Sequence, residues 1–282
     1  MPLIFPSSRH VLLVVVGAWA LLPSARSAGQ WQALFDGGST AAWRTLGKSA
    51  EAPVAWRVEE GALAWVKGGG NLATVFHASC HSVSIYPSNP GISADWPGPA
   101  SRAMSAAFGG EGFFLQGASG DITPWRRGPQ AVAEMAEAFA RKAREAEKLA
   151  VGLRPMPIRV ARADVDLPLT PDAIKRTGTP KVTAEVQVLV CGPLAFVALP
   201  GEPLTDLGTH IREDSPFPQT LVLGYSNGMG VHYVGMPGEK ARGGYEAGVA
   251  GAGTDECGRL LVDAAVRLLR EIYASSGYPG KR

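Results

Sequence analysis

The stretch VTAEVQVLVCGPLAFVALPGEP (182–203) decides how the chain is read. Residues 182–190 alternate strictly between apolar and polar, the two-residue period of a strand with one buried face. Cys191-Gly192-Pro193 is turn chemistry, and LAFVALP (194–200) returns as a second, almost wholly apolar run, so the pair predicts a hairpin. That run stops at Pro200-Gly201 and leaves Glu202 at its mouth. TLVLGYSNGMG (220–230) repeats the design, with an apolar strand entering a glycine-rich turn that carries Asn227, and Tyr233 just beyond. GGYE (243–246) adds another glycine turn. In α/β proteins, ligand and metal sites gather where strands end, so a carboxylate and a phenol delivered this way can share one site.

Upstream the pattern alternates between strands and helices. TVFHASCHSVSI (74–85) is strand-like, and GEGFFLQGASGD (110–121) reads as a buried strand entering a glycine turn. Residues 129–150 make the clearest helix. Pro129 suits its first turn, and Val132, Met135, Ala136, Phe139, Ala143, Ala146 and Ala150 fall on one face. A last amphipathic helix over 255–274 turns Leu260, Leu261, Ala264, Ala265, Leu268 and Ile272 inward. The order of elements predicts an α/β layered sheet-and-helix domain over 73–282.

Composition supports a folded, exported chain. Of 282 residues, 46% are hydrophobic and 18% charged, so a core is available and global disorder is excluded. Arg9 and His10 precede an apolar run from Val11 to Leu22, Pro23 breaks it, and Ala25 and Ser27 place small residues at a cleavage site. Residues 1–27 therefore read as a signal peptide, with a run too short to span a bilayer comfortably. The implied location is periplasmic or secreted, and no later segment is apolar enough to cross a membrane. Of the 27 Lys and Arg, Arg9 and Arg26 lie in this segment, which leaves 25 basic against 25 acidic residues. That balance points to no nucleic-acid partner. Cys80, Cys191 and Cys257 allow at most one bridge, show no CxxC pattern, and read mainly as small buried side chains.

Residues 31–72 form a separate block of short aromatic runs. Trp56, Val58, Leu63 and Trp65 flank a Glu60-Gly61 turn and predict a hairpin. The block is too short to close a sandwich alone, so Trp43, Trp56 and Trp65 are expected to be incompletely buried. They are the core of a small sheet or, less commonly, a sugar-stacking surface.

Several segments together resemble the neutral, non-lysosomal ceramidases. FHASCHSVSI…ISADWPG is similar to that family's HPxSL…SADYPG, and LQGASGDITP to its GxxGDxSP. LPGEPLTDLG matches the PGE segment, and GYSNGMGVHY followed by GGYE matches the GYxNxYxxY and YE segments. The matches run in the family's order over about residues 75–250. The resemblance implies a zinc-dependent hydrolase of a linear, N-acylsphingosine-like lipid amide. By position it implies His81, Glu202 and Tyr233 as metal ligands, Thr123 at the motif serine beside the substrate, and Tyr245 as support for the reacting carbonyl. Three protein ligands leave an open position for water, whose pKa zinc lowers towards ~7. The chain departs from the family in lacking the segment with the first zinc histidine and the accessory C-terminal domain, and in carrying Thr at 123. The expected protein is thus a ceramidase-type hydrolase, active or degenerate.

Residues 31–72 resemble instead the opening of the 3-keto-disaccharide hydrolase domains, concanavalin-like β-sandwiches (LFNGKDLxGW…WxVEDGxL…GGGxLxT). The alternative this implies is a carbohydrate-active or carbohydrate-binding protein with a sugar substrate.

Each candidate also has a plain reading. His81 can be a core histidine satisfied by a backbone carbonyl. His77 lies four residues before it, ~13 Å along a strand, so both rings reach one ion only if the chain bends. His232 on an extended segment points away from Tyr233 and is not expected as a ligand. Asp95 and Asp121 are expected to cap turns.

Overall fold

The hairpin at 181–198 forms the centre of a four-stranded mixed sheet. The computed structural model describes residues 56–59 and 62–65 (as backbone), 71–85, 91–150, 152 and 156–278. Residues 1–27, read as a signal, and Trp43 lie outside them, as do the side chains of Trp56 and Trp65. The chain divides into two compact units between Leu72 and Ala73.

In the first unit, β1 (Trp56–Glu59) and β2 (Ala62–Trp65) pair antiparallel, with Trp56 opposite Trp65 and Val58 opposite Leu63. This is the hairpin that the alternating aromatics predict.

The second unit opens with β3 (Ala73–Ala78), α1 (Pro97–Phe108) and β4 (Glu111–Gln116). β3 and β4 pair in parallel, which requires a crossover, and α1 provides it. α2 (Pro129–Glu147) joins α1 over this pair. Here Trp96, fully buried, stacks on Phe139 with ring centroids 5.0 Å apart and meets Phe114 edge-on at 4.7 Å. Ala131, Val132 and Ala136 are buried, and Met135 and Phe139 pack at the margin of the cluster. The C-terminal end differs from expectation: the helix stops at Glu147, short of Ala150, and Ala146 and Ala150 are both exposed. Their spacing is helical, but α1 has only 12 residues against 19 in α2. β4 also differs, because Phe113 is 52% exposed while Phe114 faces the aromatic cluster.

The main sheet runs β5 (Ile158–Pro168), β6 (Lys181–Cys191), β7 (Leu194–Ala198) and β9 (Gln219–Leu223). β5, β6 and β7 are antiparallel neighbours, whereas β9 lies parallel to β7. α3 (Pro171–Thr177) links β5 to β6, and α4 (Thr205–Asp214) carries the crossover from β7 to β9. Cys191 pairs with Leu194 across a two-residue turn in which Gly192 has φ +57°. A glycine at the first turn position is what such a hairpin needs. Inward residues Val186, Val188, Val190, Ala195 and Val197 form one core with Leu261, Ala265, Leu268, Leu269 and Ile272 of α6 (Cys257–Ser276). All three cysteines are free, with Cys191 and Cys257 buried.

At the carboxyl ends of β3, β4, β7 and β9 the two parts of this unit join. Gly224 N donates to Gln116 O at 3.1 Å, Gly117 bridges Leu223, and the His77 ring meets Val222 O at 2.9 Å. The short parallel pair of β8 (Glu202–Pro203) and β10 (Tyr233–Val234) lies just beyond β7. α5 (Glu239–Arg242) and a π-helix (Tyr245–Ala250) follow. Among the described residues, no helix is long and apolar enough to cross a membrane.

Candidate active site

Glu202 is placed by glycine. Gly201 has φ +68°, and a Cβ there would lie 2.3 Å from His232 O. Only glycine admits both the left-handed turn and that backbone approach. The turn sends Glu202 into β8, where its partner across the ladder is Tyr233. Glu202 N donates to His232 O at 2.9 Å. From the other side, Gly120 N donates to Pro203 O at 2.9 Å, and a Cβ on Gly120 would come within 2.6 Å of Glu202 O.

His81 follows β3 and is held at three points. Its backbone N–H and its Nδ1 both reach Ile122 O at 2.9 Å, and Trp96 Nε1 donates to His81 O at 2.9 Å. Asp95 stabilises this corner, its two oxygens accepting from Ile85 N and Trp96 N. Asp121 caps α4, accepting from Thr205 N and Oγ1 at 2.8 and 2.7 Å. Asp95 thus holds its own turn, as its sequence context suggests, whereas Asp121 reaches the start of a helix 84 residues on instead of capping its own turn.

Around the Glu202 carboxylate, His81 Nε2 lies 2.7 Å from Oε2 and Tyr225 donates to the same oxygen at 2.5 Å. Tyr233 Oη lies 3.5 Å from His81 Nε2. His232 Nε2 lies 2.9 Å from Oε1. The site is deep at its centre, since the Glu202 side chain is 7% exposed and that of His81 14%. Burial pushes the Glu202 carboxyl up, but hydrogen bonds from Tyr225, His81 and Tyr233 outweigh it and bring the group below the usual glutamate value. Burial and the carboxylate raise both phenols, Tyr233 to about 12. At neutral pH each therefore keeps its proton and acts as a donor.

The expected residues thus divide. His81, Glu202 and Tyr233 come together around one point. Tyr245 stands at the rim, 62% exposed, with its ring 6.1 Å from that of Tyr233. Thr123 is exposed and accepts from Arg127 at 2.8 Å, linked to the cluster through the neighbouring Ile122 carbonyl. His77 does not join His81, because its ring fastens β3 to β9. His232 is a correction: with φ +68° it does not continue an extended strand, and its ring turns to the same carboxylate as its neighbour. Tyr225, also left-handed at φ +52°, was not legible as a site residue. Its sequence signals are its place beside Gly224 and its match to the second position of the GYxNxYxxY segment, at the end of a strand whose turn offers Asn227 as the more obvious polar group.

The donor chemistry suits a cation. A carbonyl oxygen can only accept, so His81 Nδ1 carries a proton towards Ile122 O; a ring with that one proton would turn a lone pair to Glu202 Oε2, whereas a ring with two donates there. Two lone pairs at 2.7 Å repel unless a second ring proton or a cation lies at that point. An imidazole nitrogen, a carboxylate and a phenol are the kinds of atom that zinc accepts. His81 and His232 approach different oxygens of Glu202, and among the described residues no three His, Cys, Asp and Glu are spaced to hold a metal ion without help from a phenol.

No protein-family model matches the sequence, and no curated protein does. Among solved structures, the chain is similar to neutral ceramidase from Pseudomonas aeruginosa, with a TM-score of 0.56 and 20% identity over 75% of this chain and 45% of that one. It is also similar to a ceramidase complexed with C2, with a TM-score of 0.55 and 18% identity over 75% and 46% of the respective chains. The chain thus spans less than half the length of these structures. At such identities the likeness is one of fold: the chain has an α/β layered architecture, and 75% of it is similar in fold to part of a neutral ceramidase.

Proposed function

We propose that the chain is an exported zinc-dependent hydrolase of ceramidase type, cleaving the amide of an N-acylated long-chain lipid. The carrying observation is the meeting of His81 Nε2, Glu202 Oε2 and Tyr233 Oη, contributed by three separate segments. His81, Glu202 and Tyr233 would hold the metal. When bound, zinc supplies an activated water and polarises the amide carbonyl.

The chain's own residues supply the rest. Tyr225 donates to Oε2 of Glu202 and helps to hold the carboxylate still. Tyr245, exposed at the rim beside Tyr233, is placed to donate its hydroxyl hydrogen to the developing oxyanion. Thr123 lies beside the His81 anchor and offers a hydroxyl to the substrate. We expect slow turnover, because among the described residues the metal would rest on the single imidazole of His81 and on a weakly acidic phenol.

The test is hydrolysis of a fluorogenic N-acylsphingosine with and without a chelator, alongside Glu202→Ala. Expected is weak turnover that the chelator abolishes and that falls at least 100-fold in the variant, the order expected for removing a central charged group. Turnover indifferent to both would refute the zinc reading.

A further inference from the structure

The Glu202 carboxylate has a partner on each oxygen, and the one on Oε1 is His232, which the reading above leaves without a defined task. We propose that His232 is the positioning residue of Glu202, setting the carboxylate's attitude for zinc; the inference rests on the zinc reading.

His232 grips Glu202 at two points. Its carbonyl accepts from Glu202 N at 2.9 Å, and its Nε2 lies 2.9 Å from Glu202 Oε1. The ring is itself steadied at the far side, where Nδ1 lies 3.3 Å from Ala250 O, the last residue of the π-helix. A ring set 3.3 Å from a backbone carbonyl on one nitrogen and 2.9 Å from a carboxylate oxygen on the other is a strut between two segments, one that donates to both when both nitrogens carry a proton. It fixes Oε1, so that Oε2 is the oxygen turned to His81 and Tyr233.

The backbone supports the same view. His232 adopts φ +68°, a region uncommon for residues other than glycine, in which Asn, Asp and His are the most frequent of the rest. Its N donates to Met229 O at 2.8 Å, closing a tight turn. A turn of this kind alone is served by glycine or asparagine. Histidine adds only its ring, and the ring's use is the carboxylate. Gly201 makes room for the grip, because any Cβ there would meet His232 O.

Two substitutions separate the ring's task from the turn's. His232→Asn tolerates positive φ and can replace Nδ1, but its amide is too short to stand in for Nε2. His232→Gln reaches further and can restore a donor to Oε1. The full chain, stripped of metal, is titrated with zinc chloride against a chromogenic chelator, and the cobalt(II) absorption spectrum and melting temperature are recorded.

Expected is zinc binding by the wild type and a roughly 10–100-fold weaker affinity in His232→Asn, the range found when a group supporting a metal ligand is removed. The cobalt bands should change while the melting temperature stays nearly constant, and His232→Gln should recover part of the affinity. If His232→Asn binds zinc as the wild type does, with an unchanged cobalt spectrum, while Glu202→Gln loses binding, the proposal falls and the zinc reading stands. If the wild type itself takes up no zinc, the zinc reading fails and the proposal with it.

Discussion

Tyr225 and Glu202 show how a single contact sets a charge state. The carboxyl is buried, which by itself favours the neutral acid, yet three donors bring it below its ordinary value of 4.5. A group depressed in this way stabilises the fold above its unfolded value, and the contribution is lost as pH falls through the lower folded value. In metal-free protein, Tyr225→Phe should therefore cost about 1 kcal/mol at neutral pH, the usual worth of one hydrogen bond. The cost should shrink once the pH is well below 4.5, where Glu202 is protonated in both proteins. Urea midpoints of the two proteins at neutral and acid pH measure this. An equal difference at both would mean that the phenol acts by packing alone. Each phenol keeps its proton at neutral pH, so the donors persist across the range in which Glu202 titrates.

Among the described secondary-structure elements, the π-helix is tied down by a cation that lies outside it. Lys240 Nζ donates to Ala247 O at 3.0 Å and Gly251 O at 3.2 Å, tying α5 to the π-helix and its exit. Gly251 N in turn reaches Glu246 O at 3.0 Å, the five-residue step of the wider helix. This turn presents Tyr245 at the rim of the site and Ala250 O to His232. Lys240→Met keeps the stem of the side chain and removes both bonds. Amide hydrogen exchange over 245–251 should then quicken on the order of tenfold, with little change in α6, because only a local opening is eased. Unchanged exchange would show that the glycines and Tyr233 hold the turn without the lysine.

Stability of the whole 73–282 domain is concentrated where α6 lies on the main sheet. Leu261 is fully buried there, in one core with Val186, Val188, Val197, Ile211 and Phe217. Leu261→Ala should lower unfolding free energy by about 2–5 kcal/mol, since the rigid sheet beneath collapses little into the cavity. The urea m-value should stay the same if the domain unfolds as one unit. A loss under 1 kcal/mol would place the stabilising core elsewhere.

Local periodicity determined much of this molecule. The alternation of 182–190 and the Cys191-Gly192-Pro193 turn specified the central hairpin, and the stripe from Leu261 to Ile272 specified the inner face of α6. These features follow from nearest-neighbour geometry, in which side-chain spacing alone decides what faces the core. The strand-end polar groups Glu202 and Tyr233 were legible for a related reason, since an apolar run that stops at glycine marks where a chain leaves its sheet. His81 became legible only through several motifs in a known order. What the tertiary structure alone decided is the company these residues keep. Tyr225 and His232 stand in left-handed turns, where no period predicts a side chain's direction, and His77 differs from His81 only in lying on the strand instead of beyond it. The overhang of α2 was likewise invisible, because a helical stripe records a face and not the length of the partner that covers it. Glu202 gathers donors from segments more than 100 residues apart in the case of His81, and such a meeting depends on the crossovers of β3–α1–β4 and β7–α4–β9, which no local pattern encodes.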